Sequence, residues 1–209
     1  ASQCQGDDSE AMKQVAEYLR LAVESAHSLG ERVVLMVGGL SGTGKSTLAQ
    51  ALQRELMAGL LRTDTVRQEV ASDMPMVGRY SQAGRRGVYR EIVRRLPELL
   101  QRSPTVILDG TFGSRLYREL VLAEVEANDA KLVQIECECP AAVAQRRIES
   151  RRQQGNDASE ATQATHQAQQ LAREMPLDDT LLLSVDTTRQ IHEQVREVIE
   201  FLRPVIDPS

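Results

Sequence analysis

The sequence predicts an α/β fold, a doubly wound five-stranded parallel sheet with helices on both faces. Three observations carry this. Apolar strand-like runs alternate with helix-period segments along the whole chain. Turn residues bound each run, and the first run, Val33-Val34-Leu35-Met36-Val37, is continuously apolar ahead of glycines, as a buried parallel strand should be.

Taken in order, Ala1–Ser9 is polar and without period, a disordered lead-in. Val15, Leu19, Ala22, Val23, Ala26 and Leu29 then recur at helical spacing, so an amphipathic helix from Glu10 stops at Gly30. The strand Val33–Val37 leads to a helix over Lys45–Met57, in which Leu48, Leu52 and Leu56 repeat, with Gly59 as its stop. Leu60–Thr63 is a weakly signalled second strand, Asp64–Ala71 a short helix and Ser72–Gly78 a loop. A long helix over residues 81–101 precedes the third strand, Thr105–Asp109, and a helix over Gly113–Asn128 precedes the fourth, Lys131–Cys137. Pro140 opens a helix running to about Arg152, since proline fits a first turn. Gln153–Asp157 breaks it, a helix over Ala158–Glu174 follows, Thr180–Val185 is the fifth strand, and Ile191–Leu202 the last helix.

The 209 residues carry 25 Lys+Arg against 30 Asp+Glu, a formal net charge of −5. At about 150 residues per domain they form one domain with an appendage: residues 1–30 as lead-in and helix, residues 31–209 as the folded unit. No apolar run reaches the roughly 18 residues of a membrane span, and no basic-plus-apolar leader is visible. Three cysteines cannot make a disulfide scaffold, so a reducing cytoplasm is expected. Mild acidity and an aromatic content of 3% argue against nucleic acid as a partner. The chain begins at Ala1 rather than Met, which fits a processed start or a piece of something longer.

Ligands in such sheets bind beyond the carboxyl ends of the strands. After the first strand stands Gly39-Leu40-Ser41-Gly42-Thr43-Gly44-Lys45-Ser46-Thr47, a G-x-x-x-x-G-K-[ST] Walker A loop between strand and helix. Its glycines let successive backbone N–H groups wrap a phosphate chain at a helix N-terminus. Lys45 brings a mobile positive charge to the β and γ phosphates of ATP, and the Ser46 hydroxyl is placed for Mg²⁺. The guanine-specific N-K-x-D signature is absent.

Asp64 lies nineteen positions after Lys45, at the end of the second strand, where it could take the proton of an acceptor hydroxyl; capping the short helix is its plainer role. Arg67, one turn on, shares its face and could hold an anionic group. Asp109 ends the third strand in the shape of a Walker B element, placed to hold Mg²⁺ through water or to bind substrate. Arg147 and Arg151 share a helix face; they read equally as a lid pair neutralising the transferring phosphoryl group and as a solvated face beside Glu149. Arg86, Arg90 and Arg94 align too, but interleaved Glu91 and Glu98 favour an ordinary solvated face. Tyr80 and Tyr89 read as packing. Cys137 and Cys139, and the histidines 27, 166 and 192, have no metal-like spacing.

The segments GLSGTGKST, TDTVR, GRYSQ…VYRE, VILDGTF, CPAAVAQRRIESRR and NDASEATQATHQAQQ together resemble the AAA-type, zeta-toxin-like P-loop kinases related to gluconate kinase, chloramphenicol phosphotransferase and polynucleotide kinase. The likeness runs from about Tyr18 to Asp186 and is greatest to a subgroup also found fused behind aminoglycoside-phosphotransferase-like domains. It implies an adenylate-kinase-like core of strand order 2-3-1-4-5 with a helical lid. It further implies Asp64 as base, Arg67 and Asp109 facing substrate, Arg147 and Arg151 in the lid, and an upstream fused or interacting domain. Asp157–Thr162 matches a family segment for which a helix start, capped by Ser159, is sufficient reason.

The expectation is an ATP- and Mg²⁺-dependent kinase acting on a small-molecule hydroxyl. Two alternatives stand beside it: a nucleotide-binding regulatory module with weak ATPase activity, and a kinase for a nucleic-acid 5′-hydroxyl or a nucleotide sugar. The acceptor itself is not written in the motifs, because acceptor pockets come from variable loops such as residues 72–82.

Overall fold

The computed structural model describes residues 31–70, 81–154 and 163–206. The expected helix over residues 10–29, the loop over residues 72–78, Tyr80, Ser159 and most of the break after Arg152 lie outside them. Five parallel strands form one sheet in the order β2-β3-β1-β4-β5, as the resemblance implies. They are β1 (Arg32–Gly38), β2 (Gly59–Arg62), β3 (Thr105–Asp109), β4 (Ala130–Glu138) and β5 (Leu181–Asp186). The helices are α1 (Lys45–Leu56), α2 (Thr63–Val70), α3 (Gln82–Arg102), α4 (Arg115–Ala127), α5 (Ala141–Gln154), α6 (Gln163–Leu171) and α7 (Ile191–Ile206). No described helix is long and apolar enough to cross a membrane.

β1 is continuously apolar because it is buried on both faces, paired with β3 (Val37 opposite Asp109) and with β4 (Gly38 opposite Glu136). Its side chains alternate between two cores. Val34 and Met36 join Leu108, Ile92, Leu96 and Val121 under α3 and α4. Val33, Leu35 and Val37 join Ile135, Leu48, Leu52 and Leu202 under α1 and α7. Each fully buried Leu, Ile or Val stabilises the fold by about 1.5–3 kcal/mol. Truncating Ile92, 0% exposed, to Ala should cost about 2–5 kcal/mol.

Several ends differ from the sequence reading. α1 is closed by Met57, which takes the left-handed conformation (φ 48°), while Gly59 opens β2. The described part of the helix expected to reach Glu174 stops at Leu171, consistent with Pro176 nearby, whose ring disfavours helix in the residue before it. α7 runs past Leu202 and through Pro204. Ser81 caps α3, its hydroxyl accepting from the Gly84 N–H at 3.1 Å.

Candidate active site

The loop between β1 and α1 needs its glycines. Gly39, Gly42 and Gly44 have φ of 141°, 87° and 90°, which L side chains rarely adopt. Space forbids a side chain as well: a Cβ at Gly39 would stand 2.7 Å from the Cys137 carbonyl oxygen, and one at Gly42 would stand 2.6 Å from that of Ala144. The loop is thus threaded between the end of β4 and the start of α5. Gly44 supplies no side-chain cap to α1 and no acid stands in the first turn, so that helix start is left uncapped for an anion. Lys45, Ser41 and Thr43 are all buried beside it. The Thr43 hydroxyl donates to the Leu40 carbonyl at 2.8 Å.

Ser46, Asp109 and Asp64 come together at the carboxyl ends of three neighbouring strands or the helix starts beside them. The Ser46 hydroxyl donates to Asp109 Oδ1 at 3.1 Å, and Arg62 Nε donates to Asp109 Oδ2, also at 3.1 Å. Asp64, in the first turn of α2, is paired with Arg67 one turn on. Among the described residues no three His, Cys, Asp or Glu side chains gather to hold a metal ion. Ser46 and Asp109 therefore offer two hard oxygens, a donor set that suits Mg²⁺ completed by water and substrate phosphates and does not suit a resident transition metal.

Gly110 follows Asp109, and a Cβ there would stand 2.5 Å from Thr63 Cγ2, so the strand ends against α2. Phe112 takes a left-handed turn (φ 43°). Tyr89 lies stacked on Tyr117 (ring centroids 4.1 Å apart) and edge-on to Phe112 (5.6 Å), the packing role expected of it. Burial raises its hydroxyl above the ordinary range, and that hydroxyl is hydrogen-bonded to Thr111. Glu136 of β4 is held by Arg173 at 2.7 Å, yet burial outweighs the guanidinium and pushes the carboxyl upward.

On the other side of the loop, a cleft of about 390 Å³ opens above Gly44–Thr47, lined also by Arg147, Arg151, Arg189, Ile191 and Gln194. No acidic side chain lines it among the described residues, although the chain is net acidic. Arg147 donates to the Thr187 hydroxyl at 3.1 Å and to its carbonyl at 2.7 Å. The same hydroxyl bridges the Thr43 and Glu138 carbonyls, so α5 and the turn after β5 are tied directly to the loop. Both arginines line the cleft, and Arg151 Nε donates to the Arg147 carbonyl at 3.3 Å. The α3 arginines behave as the charge pattern suggests: Glu91 holds Arg94 and Arg95, and Glu98 holds Arg102.

Sequence reasoning missed Arg62, Thr187, Glu136 and Arg173. It also passed over His166 and Gln169, which hydrogen-bond to the Ser41 backbone. Thr187 follows Val185 by two residues at a strand end, a place where ligands bind, and that position was the available signal. The partners of the other five come from distant elements and leave no local pattern.

Residues 33–176 match the family described as AAA domain. Uncharacterized protein Rv2004c of Mycobacterium tuberculosis is 32% identical over 169 residues, 77% of this chain and 34% of that protein. An equally similar Mycobacterium bovis protein shares those figures, so the chain spans about a third of the length of the curated relatives it matches. A gluconokinase from Sinorhizobium meliloti superposes with a TM-score of 0.61 at 20% identity, over 84% of this chain and 93% of the other. The Mycobacterium tuberculosis APS kinase CysC, in complex with AMPPNP and APS, gives 0.61 at 22% identity, over 83% and 98%. The chain belongs to the AAA domain family, and its fold is that of the P-loop small-molecule kinases.

Proposed function

We propose that this chain is an ATP- and Mg²⁺-dependent kinase that transfers the γ-phosphate to a hydroxyl of a small molecule. The observation that supports it best is the convergence of Lys45, Ser46, Asp109 and Asp64 at the carboxyl ends of β1, β3 and β2. The cationic cleft over α1 suits the nucleotide, with Arg147 and Arg151 beside the phosphates and the Ile191 side chain offering an apolar surface to the base. Free thiols at Cys137 and Cys139 fit a reducing cytoplasm.

In this reading the N–H groups of the loop and Lys45 hold the β and γ phosphates, and the nucleotide's bound geometry is set before the acceptor arrives. Ser46 and Asp109 would hold Mg²⁺, which supplies charge neutralisation on the phosphate oxygens. Asp64 turns to the acceptor hydroxyl and takes its proton as the oxygen attacks the γ-phosphorus, while the bond from that phosphorus to the β,γ-bridging oxygen breaks and ADP leaves. Arg67, one turn along α2, faces the acceptor as an anion-binding group. Arg147 and Arg151 neutralise charge on the transferring group. The gluconokinase and APS kinase neighbours, by their names, support a small acceptor over a polynucleotide.

The test uses labelled ATP, Mg²⁺ and a pooled metabolite extract, with products resolved by mass spectrometry, for wild type and Asp64→Asn. A phosphorylated product that falls by about 10²–10⁴-fold in the variant, with nucleotide binding retained, is the expected result. Nucleotide binding without transfer to any pool would instead favour a regulatory nucleotide-binding module of a larger protein.

A further inference from the structure

α6 meets the phosphate loop at one peptide, and from both sides. The Ser41 N–H donates to Gln169 Oε1 at 2.9 Å, and the Ser41 carbonyl accepts from His166 Nδ1 at 2.6 Å. These two side chains stand one turn apart on α6, so a single helix face grips both polar groups of one residue. A carbonyl only accepts, so Nδ1 carries the proton. His166 and Ser41 are each 4% exposed, which puts the contact out of reach of competing water.

A helix can position a loop only if it is itself held. The chain leaving α6 is fixed at four places. Arg173 pairs with Glu136 on β4, and the Glu174 N–H donates to the Gly113 carbonyl at 2.9 Å. The buried guanidinium of Arg118, on α4, donates to the carbonyls of Phe112, Glu174 and Met175. Gln134, inside β4, donates to the Leu177 carbonyl at 3.2 Å and accepts its N–H at 3.4 Å. Residues 163–177 therefore run as a strap from the phosphate loop to the turn that follows Asp109.

We infer that this strap is a brace for the phosphate loop, with His166 and Gln169 as its positioning residues. The inference rests on the nucleotide-binding reading above. Ser41 sits between Gly39 and Gly42, the stretch of the loop with the greatest backbone freedom. An unbraced loop would have to be ordered each time a phosphate chain binds, and that cost comes off the affinity. Thr187 steadies the loop at Thr43, so the brace supplies the second fixed point.

The experiment measures binding of Mg²⁺-AMPPNP by calorimetry to the full chain, together with amide exchange at Ser41. His166→Leu and Gln169→Met keep volume but remove the hydrogen bond, whereas His166→Asn returns a donor to the Nδ1 position. Expected are about tenfold weaker binding in the first two, binding within about threefold of wild type in the third, and faster Ser41 exchange in Gln169→Met. The brace is overturned if Leu and Met variants bind as wild type does, or if His166→Asn binds as weakly as His166→Leu. Wild type that binds no nucleotide at all would sink the nucleotide reading itself, a result distinct from either.

Discussion

The two sides of the site are made of different material. On the proposed nucleotide side the cradle is a run of backbone N–H donors beside Lys45, held in place by three left-handed glycines and by contacts to Ser41 and Thr43 from distant elements. On the proposed acceptor side three charged side chains are already paired with others: Asp64 with Arg67, Asp109 with Arg62, Glu136 with Arg173. The first side is formed before its ligand arrives and binds by filling a fixed cradle. The second is neutralised within itself and can engage a substrate only by exchanging partners. A substitution that adds a single carbon should wreck the first side. On the second, removing one whole partner should be survivable.

Gly42→Ala is the sharpest way to break that contrast. The added Cβ meets the Ala144 carbonyl oxygen at 2.6 Å while the residue keeps φ near 87°. Together these strains are worth about 3 kcal/mol, so nucleotide affinity should fall by at least about 100-fold in a calorimetric titration. Near-normal affinity would mean that the loop is far softer than its contacts suggest. A smaller effect concerns Cys137, which lies beneath the same loop and whose thiol burial pushes up to about 12. Alkylation by iodoacetamide near pH 8, read by peptide mass spectrometry, should modify half-buried Cys139 faster than Cys137 by about tenfold or more. Comparable rates at the two thiols would show that the loop opens readily.

Arg62→Met probes the paired side. Asp109 would keep the Ser46 hydroxyl and lose its ion pair with Arg62, with Asp109 3% exposed and Arg62 partly solvated. We expect a stability loss of about 1.5–3 kcal/mol in urea unfolding, because a hydrogen bond to a charged group is worth about that much. Nucleotide affinity should stay within about threefold, a change of under 1 kcal/mol. If affinity collapses as in Gly42→Ala, the two sides are not separable and the comparison fails.

The same difference in material governs what could be read from the sequence. The phosphate loop was legible because glycine spacing, strand and helix lie next to one another, and a backbone site is written locally. β3 was legible to the residue, since Val106-Ile107-Leu108 is apolar without interruption and Asp109 ends it. Strand order 2-3-1-4-5 came from resemblance, as periodicity says nothing of which strands are neighbours. Arg62 looked like one more residue of a weak strand, and His166 like a stray histidine. Their roles depend on Asp109 and Ser41, 47 and 125 residues away, and such pairings exist only once the sheet is wound. Met57 in place of Gly59 as the end of α1 is a local miss: a non-glycine residue took the left-handed turn.

The smallest expected effect belongs to neither side and serves as their control. Glu91, on the outer face of α3, accepts from Arg94 and Arg95, and these hydrogen bonds hold its carboxyl down to about 2. A carboxylate with a depressed folded value stabilises the fold fully above its unfolded value near 4.5, and the contribution is lost as pH falls toward 2. Because Arg94 is largely solvent-exposed, solvent screening keeps the contribution of this network small. Glu91→Gln should therefore unfold slightly earlier in urea at pH 7, with the gap to wild type narrowing steadily below pH of about 4.5. Its affinity for Mg²⁺-AMPPNP should not change, since α3 reaches the site through Tyr89 on the opposite, buried face. A gap that widens in acid would reverse the sign and place Glu91 in some other balance. A loss of nucleotide affinity would mean that surface charge on α3 is felt in the cleft, and the losses measured at Gly42 and Arg62 would then have to be read against that background.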